Sequence, residues 1–214
     1  MAPVVETFVL GPASENGYVV RRERGASEAV VVDPGDDATR LRLELARAGA
    51  RCAAILITHC HWDHLGGVAD LAEGTGAPVY MARDEAPVLR TPDDFYGALG
   101  IRIRPYEPDV LLDGGERLEL AGLPFETLLV PGHSPAHLAF ATDGCVFSGD
   151  VLFAGGVGRV DLPGGDWDTL VGSIRSLMER FPPETIVYPG HGPPTSLGAE
   201  LAKNPFLAEL RQAS

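Results

Sequence analysis

Histidine and aspartate carry the chemistry in this chain, and they fall in four short motifs. His59, His61, Asp63 and His64 lie within Thr-His-Cys-His-Trp-Asp-His, from Thr58 to His64. His133 stands in Pro-Gly-His-Ser, Asp150 in Ser-Gly-Asp, and His191 in Pro-Gly-His-Gly. The chain has 6 histidines in 214 residues, and His137 alone lies outside this set. Neutral imidazole and carboxylate together suit zinc, iron or manganese. His59 through His64 offer more ligands than one tetrahedral ion accepts from a single segment, so the spacing points to two ions. His133 and His191 add one further imidazole for each, and Asp150 reads as a carboxylate bridging both. Two ions ~3.5–4 Å apart would lower the pKa of a shared water toward ~7, which is the chemistry of hydrolysis. Asp63 and Asp150 are the carboxylates expected to carry catalysis.

Other residues near these motifs need a second reading. If Thr58 to His61 leaves a strand in extended form, Cys60 points away from His59 and His61 and is not a ligand. Asp33, in Asp-Pro-Gly, is read either as a turn former or, with Thr58, as a residue orienting ligand histidines. His137 is read as a hydrogen-bonded strand-edge histidine. The 3 cysteines, Cys52, Cys60 and Cys145, form no disulfide framework.

The bulk composition removes several function classes. A net charge of −13 speaks against nucleic acid, which needs a basic face. No apolar run reaches membrane-spanning length, and the N-terminal stretch has no signal-peptide pattern. A cytoplasmic, single-domain protein over residues 1–214, acting on a small molecule rather than on nucleic acid or membrane, is the expectation.

The ligand motifs follow apolar runs, so strands must position them. Phe8 to Leu10, Gly17 to Val20 and Ala29 to Val32 read as strands. Ala38 to Ala48 reads as a helix, with Leu41, Leu45 and Ala48 at helical spacing and Gly49 ending it. Ala53 to Ile57 is a buried strand that delivers the first motif, and Asp63 to Glu73 reads as one helix after it. Val79 to Ala82 is a further strand, and Ala86 to Gly100 a polar segment suited to an active-site rim. Arg117 to Leu120, Pro124 to Val130, His137 to Ala141 and Val146 to Ser148 read as strands leading to His133 and Asp150. The helix from Trp167 to Arg180 precedes a short strand, Thr185 to Tyr188, that delivers His191. Each half is strands followed by a helix, an α/β pattern compatible with a four-layer αββα sandwich.

The order His-x-His-x-Asp-His, then His, Asp and His, resembles the metallo-β-lactamase superfamily. Within it the chain is most similar to the glyoxalase II-like hydroxyacylglutathione hydrolases in their short single-domain form. Asn16-Gly17-Tyr18, Val32-Asp33-Pro34-Gly35, Gly158-Arg159-Val160-Asp161, Gly190-His191-Gly192-Pro193 and Asn204-Pro205 carry the likeness beyond the ligands. The resemblance implies the metallo-β-lactamase sandwich. It also implies one ion on His59, His61 and His133, a second on Asp63, His64 and His191, and Asp150 with a hydroxide between them. Zinc is the first expectation for both ions, with iron or manganese as alternatives.

The implied substrate is a thioester of the S-acylglutathione type, whose thiolate, with a parent pKa near ~8.5, departs without a strong general acid. Arg159 is the implied anchor for a carboxylate of the thiol carrier. Full-length glyoxalase II enzymes add a C-terminal helical domain that grips glutathione, and here only a short tail follows His191. Two alternatives stand beside it, of which the persulfide dioxygenases share the motif order. A persulfide dioxygenase would hold one iron on His59, His133 and Asp150. A β-lactamase generally has Cys or Ser where Asp150 stands.

Overall fold

Fourteen strands and eight α-helices alternate along the chain, which we describe from a computed structural model over residues 2–212. The first half contains β1 (Val4–Leu10), β2 (Glu15–Arg21), β3 (Glu28–Val32), α1 (Ala38–Ala48) and β4 (Arg51–Leu56). It continues with α2 (Trp62–Leu65), α3 (Val68–Thr75), β5 (Val79–Ala82), α4 (Ala86–Arg90), α5 (Pro92–Tyr96) and β6 (Val110–Leu112). The second half opens with β7 (Arg117–Leu120), β8 (Leu123–Leu129), β9 (Leu138–Thr142), β10 (Cys145–Gly149), β11 (Leu152–Phe153) and β12 (Gly156–Val157). Then come α6 (Trp167–Arg180), β13 (Ile186–Pro189), β14 (Thr195–Ser196), α7 (Leu197–Lys203) and α8 (Ala208–Gln212).

The strands form two six-stranded sheets, ordered β1-β2-β3-β4-β5-β6 and β14-β13-β10-β9-β8-β7. In the first, β3, β4, β5 and β6 run parallel. In the second, β10 and β13 are the parallel pair. Three apolar layers show how the sheets stack. Val31, Ile55 and Val79 pack with Leu41, Leu45 and Leu71 of α1 and α3 on one outer face. Tyr18, Val30 and Leu56 meet Phe125, Phe140 and Phe147 between the sheets. Val146 and Val187 pack with Leu170, Ile174 and Leu197 of α6 and α7 on the other outer face. Strands buried on both faces read as continuous apolar runs, as Val30–Val32 and Ala54–Ile57 do. This is the expected αββα sandwich.

Local signals explain where α1 and α6 begin. Asp37 accepts from the Arg40 amide, and Asp166 from the Thr169 amide, capping the two helices. Gly49 ends α1 in the left-handed conformation with φ 64°. Burying Leu41 and Leu45 contributes about 1.5–3 kcal/mol each.

One expectation is corrected. The helix read from Asp63 to Glu73 is two helices, α2 and α3, broken at Gly66 and Gly67. The Gly67 amide donates to the Gly35 carbonyl instead of continuing the helical ladder. A Cβ at Gly66 would stand 2.7 Å from Asp36 Oδ1, so the chain turns close against the loop after β3.

The polar segment expected as a rim contains α4, α5 and a 3₁₀ turn, Gly97–Leu99. The residues after His191 form β14, α7, a second 3₁₀ turn (Pro205–Leu207) and α8. No described helix is long and apolar enough to cross a membrane.

Candidate metal centre

Parallel strands bring the motifs together, because loops leaving neighbouring parallel strands emerge at the same end of the sheet. Gly149 at the end of β10 is in register with Pro189 at the end of β13. The Gly190 amide donates to the Gly149 carbonyl at 2.8 Å, so Asp150 and His191 leave side by side. Across the sandwich, β4 delivers Thr58, whose carbonyl accepts from the Leu138 amide at 2.8 Å. That bond docks the first motif beside the loop bearing His133.

Asn16 and Tyr18 fix the His191 loop from the first sheet. Asn16 Nδ2 donates to the carbonyls of Pro189 (3.0 Å) and Gly192 (2.8 Å), and its backbone amide to that of Gly190 (2.7 Å). The Tyr18 hydroxyl also donates to the Pro189 carbonyl. This gives a physical role to the Asn-Gly-Tyr stretch.

Three imidazole nitrogens converge in one set. His59 Nε2 and His133 Nε2 lie 3.1 and 2.9 Å from His61 Nδ1. A second set brings His191 Nε2 to 3.2 Å and His64 Nε2 to 3.9 Å from Asp63 Oδ2. Asp150 lies between them. Its Oδ2 is 3.5 Å from His133 Nε2 and 3.6 Å from His191 Nε2, and its Oδ1 is 3.6 Å from His64 Nε2. All seven sequence-predicted ligands therefore meet in one place. Cys60 does not join them.

The surrounding hydrogen bonds set each ring's tautomer. Thr58 Oγ1 donates to Asp33 Oδ2 at 2.7 Å, so it accepts from His59 Nδ1 at 3.0 Å. His133 Nδ1 donates to the Arg159 carbonyl at 2.8 Å, and His64 Nδ1 to Asp33 Oδ2 at 2.9 Å. Each of these three rings, when neutral, thereby presents its Nε2 lone pair to the centre. Asp33 also accepts from the Thr58 amide at 2.8 Å. It takes a left-handed turn conformation at φ 46°, so it serves both as turn former and as orienting residue.

Three buried residues were not expected here. Glu85 accepts from the Cys60 amide (2.6 Å), the Ser134 hydroxyl (2.6 Å) and the Ala136 amide (2.9 Å), joining the two loops that carry His59, His61 and His133. His137 is fully buried rather than at an edge. It stacks on His59 with centroids 4.6 Å apart, and its Nε2 accepts from the Asp150 amide at 3.1 Å. Glu15 is buried 3.7 Å from His64 Nδ1, and burial pushes its carboxyl well above the usual range. None of the three sits in a motif that marks it. Their roles come from contacts between distant segments.

Electrostatics prepares the cluster for cations. Burial, helped by His64 and His137, drives His59 well below its ordinary value. Burial and then His133 bring His61 down to about 4. Both rings are neutral at pH 7. Burial opposes the charge of Asp150, yet His64, His191 and His133 hold it below the carboxylate range. Asp63 is likewise held low by His191 and His64 against its burial.

The residues fit a pair of ions. His64 Nε2 and Asp150 Oδ1 are buried without a hydrogen-bond partner. A Cβ at Gly190 would stand 2.2 Å from Asp150 Oδ1, so glycine keeps that approach clear. His59, His61 and His133 form one group with ligand atoms within 4.8 Å of one another, and Asp63, His64 and His191 another. A cavity of about 950 Å³ opens over them and includes His61, Asp63, His133, Asp150, Arg159 and His191 in its lining.

Comparison with known proteins gives a consistent picture. Residues 10–191 match the family model of the metallo-beta-lactamase superfamily. The hydroxyacylglutathione hydrolase GloC of Haemophilus influenzae is 35% identical, over 84% of this chain and 87% of that protein. The crystal structure of BLEG-1 B3 metallo-beta-lactamase is similar with a TM-score of 0.90 and 36% identity, covering 96% of this chain and 100% of that one. The structure of TTHA1623 in a di-iron-bound form has a TM-score of 0.79 and 42% identity, covering 97% of this chain and 100% of that one.

Proposed function

The chain belongs to the metallo-beta-lactamase superfamily, and on that premise we propose that this metallohydrolase cleaves thioesters of the S-acylglutathione type. The observation that carries the reading is Asp150 standing between two complete ligand sets. His59, His61 and His133 would hold one ion, Asp63, His64 and His191 the other, and Asp150 both. Zinc is the first candidate from the imidazole-rich donor set, and the di-iron-bound relative makes iron the next. Bound divalent ions supply a Lewis acid for the carbonyl and a water acidic enough to attack near neutral pH.

The chain's own groups would do the rest. Asp63, ionised and in the cavity wall, is assigned to take one proton of the attacking water and pass it to the departing sulfur, while the product acid releases its own proton to solvent. The water oxygen bonds to the thioester carbonyl carbon, the C–S bond breaks, and its electron pair leaves on sulfur. The products are a carboxylate and a thiol, and a thiolate needs no strong acid to depart. The GloC relative supports this substrate type, and Arg159 in the cavity lining is the proposed contact for a carboxylate of the thiol. The Gly190-His191-Gly192-Pro193 stretch is more similar to the hydrolases than to the single-iron dioxygenases, and it favours the two-ion reading.

The test is thiol release from S-lactoylglutathione by protein loaded with zinc, iron or manganese. Release with at least one metal is expected. No release, together with nitrocefin hydrolysis, would favour β-lactam cleavage, the second reading raised by the BLEG-1 likeness.

A further inference from the structure

The walls of the cavity over the centre are mostly apolar. Trp62, Val88, Phe95 and Tyr96 line it from the first half of the chain, Phe153 and Leu162 from the segment after Asp150. At its rim Phe95 is 50% exposed and Leu99 71% exposed. Large apolar side chains left open beside a reactive centre mark a surface that a ligand covers. The segment bearing them is held in place, because the Tyr96 hydroxyl donates to the Cys60 carbonyl at 2.8 Å, within the first ligand motif.

The charges point the same way. Among the described lining residues Arg159 is the one cation. Its guanidinium already makes two bonds to Asp161, at 2.6 and 2.7 Å. Outside the ligand sets, the lining acids are Asp84 and Glu85, and Glu85 spends both oxygens holding the ligand loops. With Arg159 bonded to Asp161 and assigned to the carboxylate of the thiol carrier, an anionic or strongly hydrated acyl group would lose its water against this wall and meet no further Lys or Arg.

We propose that the acyl arm of the substrate is an uncharged apolar chain, seated against Trp62, Phe95, Tyr96 and Leu99, rather than a short hydroxyacyl group. The inference rests on the thioester-hydrolase reading above. It assigns specificity to Trp62 and to the α4–α5 segment with the 3₁₀ turn that follows it, and to no ligand residue.

Two substrate sets test it with the metal-loaded full chain: N-acetylcysteamine thioesters carrying acetyl, butyryl, hexanoyl and octanoyl groups, and S-lactoylglutathione. kcat/KM is expected to rise on the order of threefold per methylene until the chain fills the cavity. Octanoyl should exceed S-lactoylglutathione. Phe95→Ser and Leu99→Ser, both at exposed positions, should each lower the octanoyl-to-acetyl ratio of kcat/KM by about threefold or more. A flat chain-length series, or S-lactoylglutathione preferred over every acyl chain, would overturn the apolar acyl arm and leave thioester hydrolysis standing. Absence of thiol release from both sets would overturn the thioester reading itself. Unchanged ratios in both variants would remove the α4–α5 segment from the account.

Discussion

His64 is held from both sides by carboxylates that do different things. Asp33 accepts from its Nδ1 at 2.9 Å and fixes the ring, while Asp150 stands 3.6 Å from its Nε2 across the centre. Replacing Asp33 with Ala frees the rings of both His59 and His64, since Thr58 loses its acceptor as well. Metal affinity or activity should fall about 10–100-fold, as when other orienting partners are removed. Competition with a chelator of known affinity measures it, and an unchanged affinity would show that Asp33 is only a turn former. Asp150→Ala should abolish turnover, because it removes the group common to both ligand sets. Residual hydrolysis near the parent rate would contradict the bridging assignment.

The seven candidate ligands were legible because each sits in a motif within two residues of a glycine or another ligand. Glu85, Glu15 and His137 were not. Each is an isolated residue whose partners lie elsewhere in the chain, and a spacing pattern carries no trace of that.

The loops holding the ligands are fixed by a few elements, and these can be loosened separately. Asn16 Nδ2 bonds to two carbonyls of the His191 loop, so Asn16→Ala removes both bonds and leaves Pro189 only the Tyr18 hydroxyl. A loss of about 1–3 kcal/mol in stability is expected by denaturant unfolding. Affinity at the Asp63, His64 and His191 set should suffer more than at the other set. Gly190→Ala tests the same loop sterically, because its Cβ would meet Asp150 Oδ1 at 2.2 Å. Metal content per chain should drop while the far-ultraviolet circular dichroism spectrum stays that of the parent. Full metal content would show that the loop can shift aside.

Elements with strong local signals were readable. Helix α1 runs from Ala38 to Ala48 with its glycine stop, and α6 from Trp167 to Arg180. The break between α2 and α3 was not readable, since it depends on Gly67 bonding to Gly35 across the fold. Strands β6, β11, β12 and β14 escaped notice because runs of two or three residues show no periodicity.

At the scale of the whole molecule, two sheets of one sandwich each contribute part of one centre, so ion binding and stability are linked. In the metal-free protein, burial alone would lower His64, but Asp33 and Asp150 outweigh it and raise it well above 6.5. A folded-state value above the unfolded one adds stability that is fully present below about pH 6.5. It is lost as pH rises through the raised value. Ion binding needs the neutral ring, so stabilisation by metal runs the other way and grows with pH. The rise in Tm on adding zinc should be larger at about pH 8 than at about pH 5.5. An increment independent of pH would mean that His64 is not displaced from its proton by the ion. The αββα architecture was readable from the alternation of apolar runs and helical segments. The proposed acyl preference was not, because it rests on how Trp62, Phe95 and Leu99 gather around one cavity.

The most direct measurement is thiol release against equivalents of zinc added to metal-stripped protein, with S-lactoylglutathione and an octanoyl thioester as substrates. Activity is expected to climb and level off at two ions per chain. A plateau at one ion, or no thiol release at any loading, would contradict a two-ion thioester hydrolase.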